Sequence, residues 1–177
     1  MTIREAIESD APGITAVHIE SWRKTYNGII PKEILDNLSF EQREVKWRDR
    51  LSSPDRSRFF YVATNSENEI IGFANGGFER DGDPVYKGEL YGIYILDKYH
   101  RKNIGHQLTS RIASRLNQAG IKSMLVWVLA DNRIAMSFYE ALGGNKINER
   151  YISFGDIQLL EYAYGWDDTR VLINMGK

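Results

Sequence analysis

The stretch Tyr99–Leu108, YHRKNIGHQL, sets two adjacent cations, Arg101 and Lys102, ahead of Asn103, Ile104 and Gly105, and then runs into a helical pattern at His106. This arrangement suits an anion. The first turn of a helix has N–H groups without intrahelical partners, the helix dipole adds partial positive charge there, and phosphates bind where the two coincide. Gly105 removes the side chain that would hold a phosphate away from the backbone. Arg101 and Lys102 add charge, each contributing ~0.2–1 kcal/mol at a surface. A plain strand-to-helix connection with solvated basic residues is the competing reading of this turn. Neither GxxxxGK[ST] nor GxGxxG occurs, so the phosphate is not that of a P-loop or dinucleotide fingerprint.

The elements that must position this turn follow from patterning. At 177 residues, one domain spanning 1–177 with a sizeable core is expected. The net charge of −1 gives no field for nucleic acid or an anionic membrane. With no Cys, disulfides, thiolate metal sites and a Cys nucleophile are excluded. No apolar run approaches the ~20 residues of a membrane helix, and the charged N-terminus is no secretory signal, so a cytoplasmic protein is expected. Alternation in Thr2–Ile7 predicts a strand. Asp10 is placed to cap a helix carrying Pro12 in its first turn, which NGIIP (27–31) ends. One charged helical region is expected from about Lys32 to Leu51. Phe59–Thr64 and Glu69–Phe78 predict a hairpin, Gly88–Leu96 a strand, and 105–119 a helix stopped by Gly120. The continuous apolar run Ser123–Leu129 predicts a strand buried on both faces. Ala135, Phe138, Tyr139 and Leu142 recur at helical spacing before Gly143–Gly144, and two strands, about Lys146–Phe154 and Asp156–Gly165, flank a turn at Gly155. The order β-α-α-β-β-β-α-β-α-β-β makes a mixed α/β (α+β) sheet with helices packed on it.

Three blocks of this chain resemble the GNAT N-acetyltransferase superfamily: Glu89–Leu108, Val126–Gly144 and Ile3–Tyr26. In the second block Asn132, Ala135, Phe138, Tyr139 and Gly143 all fall at the family spacing. The first departs from the family's loop, with His100 where Gln or Arg is usual and Asn103 where Gly is usual. Asn is the non-Gly residue that best tolerates the left-handed region, so the turn is expected to form.

The resemblance implies a central, mostly antiparallel sheet of about seven strands flanked by about four helices. It implies acetyl-coenzyme A as co-substrate, no metal, and a small-molecule amine as acceptor. Backbone groups at Ile93, Tyr94 and Ile95 are expected to pair with the pantetheine arm and to supply an oxyanion donor. Those of His100, Arg101, Lys102, Asn103, Ile104, Gly105 and His106 are expected to hold the pyrophosphate, with Asn132, Ala135 and Phe138 completing the cofactor site. Tyr139 would stand near the sulfur as general acid, a phenol of pKa about 10 being able to protonate a thiolate. Glu89 is the candidate base, with His18 and His100 weaker ones. Trp22 and Tyr26, at i and i+4, share a face and would line the acceptor cleft, where scattered acidic residues suggest a polyamine among other amines. An acetyltransferase of proteins and a non-catalytic acyl-coenzyme A module are the alternatives. The C-terminal strands offer an edge through which a homodimer could pair.

Overall fold

The computed structural model describes residues 1–53 and 55–174. Among them run strands β1 (Thr2–Glu5), β2 (Arg58–Thr64), β3 (Ile70–Phe78), β4 (Gly88–Ile95), β5 (Met124–Leu129), β6 (Asn145–Phe154) and β7 (Ile157–Trp166). The helices are α1 (Ala11–Thr25), α2 (Lys32–Asp36), α3 (Phe40–Ser52), α4 (Ile104–Gln118), α5 (Arg133–Ala141) and α6 (Arg170–Asn174). The seven strands form one sheet ordered β1-β2-β3-β4-β5-β7-β6. Only β4 and β5 run parallel, since α4 carries the chain back across the sheet between them.

Each helix layer buries a different face. On one side, α1 and α3 set Ile14, Val17 and Trp47 against Val62 and Phe73. On the other, the α4 stripe Ile104, Leu108, Ile112 and Leu116 packs on Ala74, Leu90 and Met124, joined by Leu172 of α6. A smaller cluster of Ile30, Leu35 and Leu129, with Trp22, Tyr26 and Phe154 against it, ties the α1–α2 connection to the β6–β7 hairpin.

Three local expectations need correction. The helical region 32–51 breaks at 37–39, because Ser39 caps a new helix by accepting the Gln42 N–H at 3.2 Å. Asp10 does not cap α1. Its carboxylate accepts from the Ile7 N–H at 2.8 Å and from Arg4 at 2.6 and 2.8 Å, fastening the chain entry to β1. The terminal helix α6 was not foreseen, so six helices flank the sheet where about four were expected.

Candidate active site

Strands β4 and β5 pair only at Gly88↔Met124 and Glu89↔Leu125. Just beyond, the register of β4 on β3 shifts: Gly76 pairs with Leu90 and Asn75 with Gly92, leaving Tyr91 as the extra residue of a bulge. A bulge bends its strand and increases local twist, and here the two parallel strands part. The β5-facing edge of β4 from Leu90 to Ile95 is left without a strand partner. Such an edge accepts an extended chain of amides as it would another strand.

The chain leaving β4 turns sharply at its open end. A single 3-10 turn, Asp97–Tyr99, leads to His100, whose Nε2 lies 2.8 Å from the Ile95 carbonyl and ties the loop to the strand. Arg101 (φ 57°) and Asn103 (φ 62°) are both left-handed. Asn103 meets the sequence expectation, whereas Arg101 carried no such signal. Turns of this kind aim successive N–H groups at one point and form anion-binding concavities, and α4 begins at once with its unpaired first-turn N–H groups. Arg101 and Lys102 are exposed beside it. Gly105 also has a packing role. It is buried, and a β-carbon there would stand 3.0 Å from the Phe138 ring, so its missing side chain admits α5. Both ring nitrogens of His106 are buried without a hydrogen-bond partner among the described residues.

Across the gap, Asn132 caps α5 by accepting the Ala135 N–H at 3.1 Å, and Ala135 and Phe138 pack on the core. Tyr139, on the buried face of α5, lies 6.2 Å from Tyr164 and 6.1 Å from Trp166 between ring centroids. Burial, and then the neighbouring Tyr94, push its phenol pKa well up, so it holds its proton. Tyr94 and Tyr139 in turn raise Tyr26, after the larger effect of burial.

Over the α1 face, Trp22 and Tyr26 do share a side, with ring centroids 5.1 Å apart and Phe154 6.1 Å from Trp22. His18 is buried. Its Nδ1 accepts the Trp47 indole N–H at 3.2 Å, and burial, followed by Arg43 and Arg50, lowers its pKa to about 3. It is a neutral packing residue. Glu89 is 1% exposed, and both its oxygens are taken by Arg80, Nε at 3.0 Å and Nη2 closer still.

Beside these lies a cavity of about 410 Å³ that the sequence reading missed, lined by Arg43, Lys46 and Arg50 of α3, by Arg80, and by Tyr91 and Tyr94 of β4. The signal was there. Positions 43, 46 and 50 repeat at i, i+3 and i+7, which puts three cations on one helical stripe. Among the described residues no group of three or more His, Cys, Asp or Glu is placed to hold a metal, and no helix is long and apolar enough to cross a membrane.

Comparison with known proteins agrees with this geometry. Residues 19–144 match the model of the acetyltransferase (GNAT) family. The chain is 35% identical over 172 residues to the uncharacterized N-acetyltransferase YuaI of Bacillus subtilis (strain 168), covering 97% of this chain and 96% of that one. It is 24% identical to the spermidine N(1)-acetyltransferase of Thermoplasma acidophilum, over 77% of this chain and 83% of the relative. In fold it is similar to the PaiA N-acetyltransferase of Thermoplasma acidophilum, solved in complex with coenzyme A, with a TM-score of 0.73 over 91% of this chain and 96% of that one at 22% identity. On these matches the chain belongs to the GNAT family of acetyl-coenzyme A-dependent acetyltransferases.

Proposed function

We propose that this acetyltransferase moves the acetyl group of acetyl-coenzyme A directly onto the primary amine of a small molecule, both substrates being bound at once. The observation that carries the proposal is the unpaired edge of β4 beyond Glu89, open to α5 on one face and to the α1–α3 cleft on the other. The residues fit the co-substrate. The β4 edge at Ile93, Tyr94 and Ile95 suits an amide-bearing arm, and the turn from His100 to His106 suits its pyrophosphate. Acetyl-coenzyme A supplies an activated thioester.

The chain's own residues do the rest. Backbone N–H groups at Ile93 or Tyr94 stabilise the oxyanion. As the amine nitrogen bonds to the acetyl carbon, the carbon–sulfur bond breaks and the departing thiolate takes the Tyr139 proton. The proton shed by the nitrogen reaches Tyr139 again through solvent. Glu89, engaged at both oxygens, fixes Arg80 at the cleft and leaves proton removal to water. The aromatic cluster of Trp22, Tyr26 and Phe154 would line the acceptor side.

The test is thiol release from acetyl-coenzyme A across polyamines, aminoglycosides, free amino acids and short peptides, with calorimetry of coenzyme A alongside. Release with at least one small amine is expected. Release with peptides alone would redirect the reading to protein acetylation. Tight coenzyme A binding without any release would make the chain a non-catalytic sensor.

A further inference from the structure

We propose that the acceptor is an amine that also carries a carboxylate or comparable oxyanion, and that Arg43, Lys46 and Arg50 of α3 hold this anion in the cleft beside the β4 bulge. The inference rests on the acetyl-transfer reading above and adds the class of acceptor. It also departs from the polyamine suggested by the scattered acidic residues, since the residues lining this cleft are cations, aromatics and amides together with Leu38 and Ser39, with no carboxylate among them.

The lining is built for an anion in three respects. First, three cations face one cavity of about 410 Å³ and none of them forms an ion pair with a carboxylate among the described residues, although α3 neighbours such as Arg48 do. Second, each guanidinium there is held by an aromatic ring. The Arg43 carbon lies 4.9 Å from the Trp22 centroid, that of Arg50 lies 5.0 Å from Trp47, and that of Arg80 lies 4.2 Å from Tyr91. A stacked guanidinium presents its in-plane N–H donors edge-on, which matches an oxyanion; Arg80 already gives its own to Glu89, which leaves Arg43 and Arg50 for the acceptor. Third, the charges crowd one another. Burial first, and more weakly nearby arginines, hold the Arg43 and Arg50 pKa values below the usual guanidinium range, with Tyr94 acting the other way on Arg43. An anion relieves that repulsion, while a polyamine would add to it.

The position is also right. The cavity wall includes Tyr91, the bulge residue itself, and Tyr94, the next side chain but two along β4. An anion seated on α3 leaves the attached amine directed at the parted strands. The buried carboxylate of Glu89 pairs with Arg80 and balances only that one cation.

The experiment is kinetic. The full chain is assayed by thiol release with matched pairs: methionine and 3-(methylthio)propylamine, phenylalanine and phenethylamine, 4-aminobutyrate and butylamine, with putrescine and spermidine beside them. The acid-bearing member of at least one pair should have the higher kcat/KM by about 10- to 100-fold, the range of one or two charge-assisted hydrogen bonds. Arg50→Gln and Lys46→Gln, both at exposed positions, should bring that ratio toward one without changing coenzyme A affinity by calorimetry. Preference for spermidine or for the acid-free amines overturns the inference and leaves acetyl transfer standing. So does an unchanged ratio in both variants. Coenzyme A affinity that falls with the ratio also overturns it, because the cations would then serve the co-substrate. If no amine is acetylated, calorimetry with the same amino acids separates the two readings. Saturable binding lost in Arg50→Gln upholds the anion seat and removes the transfer. No binding removes both.

Discussion

The indole N–H of Trp47 donates to Nδ1 of His18 at 3.2 Å, inside the layer between α1, α3 and the sheet. This fixes the imidazole as a neutral acceptor, and burial, with Arg43 and Arg50 nearby, holds its pKa at about 3 against 6.5 for a free side chain. Between those two values the unfolded chain binds a proton at this position and the folded chain does not. Stability therefore falls on acidification from about pH 6.5 toward 3, with a slope of at most about 1.4 kcal/mol per pH unit from this residue. Chemical denaturation across pH should show the slope in the wild type and its loss in His18→Gln, which keeps an acceptor for Trp47.

Gly105 and Phe138 make a packing pair. Gly105→Val should lower the stability of the free protein by about 1–3 kcal/mol through overpacking, since the nearest ring atom stands 3.0 Å from the β-carbon position. Phe138→Leu in the same chain should recover part of the loss. A double-mutant cycle by urea denaturation measures this, and additive losses would mean that the two residues do not meet.

Tyr139→Phe keeps the ring against Tyr164 and Trp166 and deletes only the hydroxyl. Turnover should fall about ten-fold or more, as expected for loss of a general acid. Calorimetric affinity for coenzyme A should stay near the wild-type value. Undiminished turnover removes Tyr139 from the acid role.

Arg80 and Glu89 allow a role in proton transfer to be separated from a role in support. Arg80→Met leaves a buried carboxylate without its donors and should cost about 1–3 kcal/mol. Adding Glu89→Gln should return part of that. In the single variant Glu89→Gln, the rise of kcat/KM with pH should persist, because water removes the amine proton. Disappearance of that limb would make Glu89 the base.

The strands were readable from the sequence because their branched and aromatic runs are bounded by turn residues, and α4 and α5 because their apolar positions recur at helical spacing. Asn103 was readable because few side chains tolerate a positive φ. The bulge was not. It depends on how Asn75 and Gly76 register with Leu90 and Gly92 across β3 and β4, and no property of either strand alone contains that offset. The grip of Arg80 on Glu89 was hidden for the same reason, as the two ends of a β3–β4 connection meet only once the sheet forms. The packing of Gly105 was not legible because its neighbour, Phe138, lies a strand and a helix away in sequence. The stripe 43, 46, 50 was legible all along, but the apolar positions of that helix drew the attention.

The two residue pairs that join β4 to β5 are a seam down the middle of the sheet. The four strands to one side and the three to the other share little backbone hydrogen bonding across it. A ligand that lies along the open edges would act as the missing rungs of a ladder and couple the two half-sheets. Its stabilisation would grow with concentration, reaching about 2.7 kcal/mol at a hundred times its dissociation constant. Amide exchange along Leu90–Ile95 and Val126–Leu129 would slow together as the seam fills.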